Sequence, residues 1–367
     1  MTKMFDCIIV GAGPAGSTAA YHLAKQGRSV LVLEKAALPR NKPCGGGVSP
    51  AIAQWLDFDL TPAISLQANK ISYTWKMEDP VEVQLDSSMW MVQRDVFDDF
   101  LIKQAQKNGA ELRDSTEVTG IEFNNSVWEV KTNSEPVSAR YLIAADGAGG
   151  PMTKWLGFKE PKLYLSASLE TNSIKGDSLK FDFGTIKKGF IWSFPKADGY
   201  SLSIAAMRGD RPKDLKNILA DYATKCGADV SVSNVREHPM SLWDGDRKLH
   251  SQNALLVGEA ASLTDPLSGE GIRPAIFSGF KAAEAIDRAL SGADDALEQY
   301  TQTISEEWGT DMFWASRLAA AFYQFTGVSY KAVVKLPRAT QLMSQILCGE
   351  MRYADIANRA IKKLMPF

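Results

Sequence analysis

The chain opens on a short apolar run, Phe5-Asp6-Cys7-Ile8-Ile9-Val10, that breaks at Gly11-x-Gly13-x-x-Gly16. A run without polar alternation reads as a strand buried on both faces. Each glycine then has a physical task. Gly11 permits a tight turn, Gly13 lets the backbone come close to a pyrophosphate, and Gly16 lets the next helix lie against the strand. An alanine-rich stretch to Gln26 predicts that helix, and Gly27 stops it. Ser29 to Leu33 gives a second strand, which ends at Glu34, placed to accept hydrogen bonds from a ribose. The N-terminus of the helix would face a diphosphate with unpaired N–H groups and a partial positive charge. Strand, helix, second strand and acid together predict a dinucleotide site, with Ala15 and Lys35 beside the glycines and the acid.

Composition narrows the alternatives. Of 367 residues, 45% are apolar and 23% charged, which excludes a disordered or low-complexity chain. Lys+Arg 41 against Asp+Glu 43 gives a net charge of −2, and no basic face for nucleic acid is expected. Three histidines and four cysteines without a CxxC pair predict no metal site and no disulfide framework. That cysteine usage fits a reducing, cytoplasmic setting. The longest uncharged stretch, Cys7 to Ala24, is broken by Gly11, Gly13, Pro14 and Gly16, and no other approaches the roughly 20 apolar residues of a spanning helix.

Further along, Pro43 to Pro50 is glycine-rich and helix-free, segments around Ile71-Tyr73-Trp75 and Val81-Val83-Leu85 alternate as strands, and Arg94 to Asn108 is helical. Strands near Val118 and Val127–Val130 suggest a meander, and Arg140 to Ala145 is a buried strand ending at Asp146-Gly147. Pro161 to Leu249 reads as mostly β, interrupted by a helix from about Pro212 to Cys226. Ala254 to Val257 is a last buried strand, followed by a helix from Ile272; the rest to Phe367 reads as helical. With no linker and no repeat, interleaved domains are expected. Residues 1–68, 91–160 and 250–300 would form the nucleotide-binding domain, 69–90 and 161–249 a β-rich substrate domain, and 301–367 a helical region.

NAD and FAD both satisfy the opening pattern, and the choice rests on residues far downstream. Arg94, Asp146-Gly147 and Gly258-Glu259 stand at positions that resemble the FAD contacts of the class A flavin monooxygenase superfamily, and Ala254 to Ile272 resembles its closing motif. The resemblance implies FAD and an α/β fold: a Rossmann-like, glutathione-reductase-type domain, an interleaved antiparallel substrate sheet and a C-terminal helical region. It implies cofactor contacts from Val118, Gly269, Gly271 and Ile272 as well. There the later acid bonds the ribityl chain; the superfamily usually has Asp where this chain has Glu259. A helix starting near Ile272 would aim its positive end at reduced flavin, or else be an ordinary glycine-capped core helix.

Two more motifs resemble the geranylgeranyl reductase family: Cys44-Gly45-Gly46-Gly47, with Lys42-Pro43 before it, and Phe190-x-Trp192-x-Phe194-Pro195. The family's later Gly-x-Gly is absent; Ser203-Ile204-Ala205 stands there. The resemblance implies hydride delivery from reduced FAD to isolated C=C bonds of a prenyl chain. Cys44 would then supply a proton or gate the site, or simply pack as a small thiol. Phe190, Trp192 and Phe194 share a strand face and, with Trp75, Trp90 and Met207, would line an isoprenoid tunnel or form plain sheet core. Arg40 and Lys42 are expected to be solvated rather than catalytic. Without a second nucleotide fingerprint, electrons would come from docked NAD(P)H, a ferredoxin-like protein or another donor. Two alternatives stay open: a flavin monooxygenase or halogenase on this scaffold, and a non-catalytic prenyl escort. The C-terminal apolar stretch Leu318 to Tyr323, flanked by Arg317 and later lysines, suits a peripheral membrane surface or an internal lid.

Overall fold

A computed structural model describes residues 3–209 and 214–364. The expected start of a helix at Pro212 lies outside the described residues; the helix is seen over Leu215–Lys225.

Strand β1 (Met4–Val10), helix α1 (Pro14–Lys25) and strand β2 (Val30–Leu33) form the opening βαβ unit. Cys7 to Ile9 have no exposed surface, because β1 lies between β2 and Val137–Ala144, both parallel to it. Glu111–Arg113 extends this sheet on one side and Ala254–Leu256 on the other, again in parallel. Val118–Asn124 and Val127–Thr132 make an antiparallel meander that leads into Val137–Ala144. Gly27 turns the chain after α1 with φ 76°, a left-handed conformation that glycine takes without strain.

A second, mostly antiparallel sheet runs in the order Arg236–Ser241, Leu163–Thr171, Gly199–Ala206, Gly189–Lys196, Leu179–Phe183, Leu66–Trp75, Glu78–Met91 and Gly47–Val48. The strand Leu66–Trp75 starts before the expected 68/69 boundary. Gly47–Val48, inside the first expected segment, pairs with Met91 and Trp90 of this sheet. A strand cannot end where a sequence boundary is drawn if its neighbour continues the ladder. Ser203, at the missing Gly-x-Gly, sits buried opposite Trp192 in register.

The helix Ile272–Leu290 packs along α1, so closely that a Cβ on Gly279 would lie 2.3 Å from the carbonyl oxygen of Ala15. Both helices start at the same end of the parallel sheet. Helices also follow over Ala296–Ile304, Thr310–Gln324, Pro337–Leu347 and Tyr353–Leu364.

Candidate active site

The carboxyl ends of the parallel strands set the site. At Gly11 (φ 106°) a Cβ would stand 2.4 Å from the oxygen of Ala145, and one on Gly16 would stand 2.0 Å from the oxygen of Gly11. The turn therefore closes only with glycine at both positions. Around Gly13 the protein leaves room: the nearest atom to a Cβ there is a guanidinium nitrogen of Arg40, 3.8 Å away. Helix α1 has no side-chain cap and no acid in its first turn, so its leading N–H groups are not claimed by side chains. Glu34, buried at the end of β2, accepts from the Ala12 N–H at 3.0 Å and the Ala36 N–H at 3.1 Å. Lys35 is exposed beside it.

From Glu34 a chain of charges runs inward. Arg40 Nε lies 3.4 Å from Glu34 Oε2, and its Nη1 donates to Asp98 Oδ2 at 3.1 Å. Asp98 also takes two bonds from Arg94, at 2.8 and 2.7 Å, within one turn of helix α2 (Arg94–Lys107). Burial works against the Arg94 charge, but Asp98 more than offsets it, with a smaller contribution from Cys44, and the guanidinium stays ionised. Arg40 is thus largely buried rather than solvated, because two buried carboxylates hold it. Lys42, expected to be solvated, reaches Glu259 Oε2 at 3.3 Å and is only partly exposed.

Glu259 also accepts from the Ser241 N–H at 3.4 Å. Asp146 accepts from the Met152 N–H at 2.9 Å through Oδ2, while Oδ1 is buried without a partner, and burial pushes its carboxyl up to about 6. Two further groups border the cavity that no spacing in the sequence singled out. His238, on the edge strand Arg236–Ser241, bonds Ser166 Oγ through Nε2 at 2.8 Å; burial pushes it down to about 4, so its ring is neutral near pH 7. Glu270 is buried with neither oxygen hydrogen-bonded, 3.0 Å from Arg273; burial pushes it up to about 7, against the pull of Arg273. The Gly269-Glu270-Gly271 motif contained Glu270, but only its glycines suggested a role.

The Cys44 loop closes the cavity on one side. A Cβ on Gly45 would fall 2.4 Å from Trp192 Nε1, and one on Gly47 would fall 2.7 Å from the Phe194 ring. The loop lies flat on the aromatic strand, where only glycine fits. Ser201 Oγ donates to the Cys44 carbonyl at 3.0 Å, and the Gly46 N–H lies 3.4 Å from Cys44 Sγ. The cavity wall brings together Gly13, Ala15, Cys44, Gly45, Gly46, Arg94, Gly147, Trp192, Phe194, Glu259, Gly269, Gly271 and Ile272. Gly11, Gly16, Glu34 and Gly258 support that wall from behind or beside it.

Other expected residues lie elsewhere. Val118 is buried in the meander strand. Trp75 packs against Gly184, Gly327 and Tyr330, and Trp90 sits in the cluster under Val48 and Ile52. Met207 and Phe190 are buried behind the wall. Alternation put Phe190 on the right face, but the strand runs away from the cavity, so Phe190 backs Phe181 and Trp192 instead.

An adenine–flavin dinucleotide suits these residues: there is space at Gly13, an uncapped helix start there and another at Gly271, and an unpartnered oxygen on Asp146, whose backbone lies beside Gly11. The FAD binding domain family matches residues 4–192. The protein is an FAD-dependent oxidoreductase. An uncharacterized protein of Methanosarcina barkeri is 34% identical over 294 residues, 78% of this chain and 76% of the relative. Digeranylgeranylglycerophospholipid reductase of Thermoplasma acidophilum is 30% identical over 346 residues, 83% of this chain and 84% of that protein. A geranylgeranyl bacteriochlorophyll reductase-like structure, also from Thermoplasma acidophilum, superposes with TM-score 0.83 at 22% identity, covering 99% of this chain and 100% of that one. The chain belongs to the geranylgeranyl reductase family of flavoproteins.

Proposed function

We propose that this protein reduces isolated carbon–carbon double bonds in a prenyl chain of the geranylgeranyl type. The observation that carries the reading is the seating of the Cys44–Gly47 loop on Trp192 and Phe194: the two motifs of the family meet as one aromatic, glycine-flattened wall of the cavity. An unactivated alkene has no carbonyl to polarise, so catalysis must come from orientation and a placed proton. Reduced FAD, when bound, supplies hydride to one carbon; the other carbon takes a proton.

In this reading the Gly11–Gly16 turn and Glu34 hold the adenosine diphosphate half. Arg94, Asp146, Gly147, Glu259 and the Gly269–Ile272 segment hold the flavin half, and Lys42 steadies Glu259. Trp192, Phe194, Phe181 and Leu179 exclude water from the prenyl chain. Cys44 Sγ passes the proton, and Arg94 fixes the thiol beside it. The cofactor domain comprises 1–68, 91–160 and 250–300, adjusted for the strand ends seen above, and 69–90 with 161–249 forms the substrate domain. Electrons arrive from outside, from docked NAD(P)H or a ferredoxin-like protein, and the substrate is met at a membrane surface.

The test is product analysis. Photoreduced protein incubated anaerobically with a geranylgeranyl lipid should give chains heavier by one hydrogen pair per reduced bond. An unchanged lipid, with oxygen-dependent hydroxylation or halogenation on admitting air, would instead make it a monooxygenase or halogenase.

A further inference from the structure

From Met312 to Gly349 the chain has four basic residues, Arg317, Lys331, Lys335 and Arg338, and no acidic one, although the protein as a whole carries net charge −2. The same segment exposes Phe313, Leu318, Phe325, Val328, Val333 and Leu336; Phe325 and Val328 are 64% and 67% exposed. Only Lys335 has an acidic partner among the described residues, Asp79 at 2.6 Å, and Arg317 lies over the Phe313 ring at 4.5 Å. Isolated exposed apolar residues are ordinary, but six within the 24 residues from Phe313 to Leu336, interspersed with basic residues, mark a contact surface. Within Leu318 to Tyr323, Leu318 points to solvent, while Ala319 and Tyr323 are buried.

The inner side of this segment explains what the outer side serves. Phe322 meets Phe183 at 5.2 Å between ring centres, Phe183 meets Phe190 at 5.8 Å, and Phe190 meets the cavity-lining Phe181 at 5.8 Å. Aromatic rings thus run without a break from the exposed segment to the cavity wall. No helix among the described residues is long and apolar enough to cross a membrane.

We infer that the face formed by Phe313, Leu318, Phe325, Val328, Val333 and Leu336 docks on an anionic lipid bilayer, with its apolar side chains at the acyl boundary and Lys331 and Arg338 on the headgroups. This deepens the prenyl-lipid reading, on which only the route from bilayer to cavity rests; the docking itself does not need it.

Sedimentation of the FAD-loaded protein with phosphatidylcholine vesicles, with and without phosphatidylglycerol, tests the face without any turnover. Binding to the anionic vesicles should exceed binding to neutral ones by about tenfold or more and weaken with salt. K331E/R338E and, separately, F325D/V328D should each cost about tenfold or more in that binding while flavin content and unfolding temperature stay at the parent values. Failure of the parent to bind anionic vesicles, or equal binding by both variants, overturns the inference. So does a concentration-dependent dimer that F325D/V328D abolishes, since the face would then belong to a second copy. Vesicle binding without alkene reduction would leave the docking standing and remove the reductase reading.

Discussion

Gly13 separates room left for a ligand from room needed by the protein. A Cβ at Gly11 or Gly16 would strike backbone, whereas one at Gly13 meets nothing nearer than 3.8 Å. Gly13→Val should therefore fold with a stability change of under about 1 kcal/mol yet purify without flavin, measured by absorbance after denaturation and by melting of the apoprotein. Full flavin occupancy in that variant would place the diphosphate elsewhere. Cys44→Ser should keep FAD and slow alkene reduction about a hundredfold, read by product formation under saturating reductant; an unchanged rate would leave the thiol a packing group. Both residues were legible in the sequence, because a glycine spacing and a Cys-Gly-Gly-Gly run are local. His238 was not: it reaches the cavity through sheet pairing with Leu163–Thr171, and no pattern along its own strand records that neighbour.

Helix α2 shows how an element can serve the site from outside it. Its Phe97, Leu101 and Ala105 are buried as their spacing predicts, and one turn after Arg94 it places Asp98 between Arg40 and Arg94. Asp98→Ala would leave two largely buried guanidinium groups without their common partner and should cost about 3–5 kcal/mol, measured by urea denaturation. A loss below about 1 kcal/mol would mean that the pairs contribute no more than surface bridges. Periodicity revealed α2, but the ion network needed the segment after β2 and a helix brought together in three dimensions. Of the parallel strands, β1, β2, Val137–Ala144 and Ala254–Leu256 were equally readable, since burial on both faces leaves an apolar run, whereas the three-residue Glu111–Arg113 was not. Gly47–Val48 was not: two residues carry no period, and only the ladder with Trp90 and Met91 makes them a strand.

Across the whole molecule, three largely enclosed titratable groups around the cavity tilt apoprotein stability in opposite directions. The folded-state pKa of His238 lies near 4, below its ordinary 6.5, so the unfolded chain takes the proton first and stability falls as pH drops from about 6.5 toward 4. Asp146 and Glu270 are raised, to about 6 and about 7, from 3.8 and 4.5; their protonated forms favour the fold, and stability is lost as pH rises through those values. Melting temperature against pH should accordingly show Glu270→Gln gaining on the parent between pH 5 and about 8. A constant offset between the two profiles would mean that Glu270 is already ionised in the fold.

The account joins this cofactor chemistry to a prenyl chain in one cavity, and rapid mixing under strict anaerobiosis reads that junction directly. When photoreduced protein meets a geranylgeranyl lipid, the oxidised flavin absorbance should return without oxygen, in proportion to the saturated bonds formed. Flavin that stays reduced with the lipid present and reoxidises only when air is admitted would contradict the account.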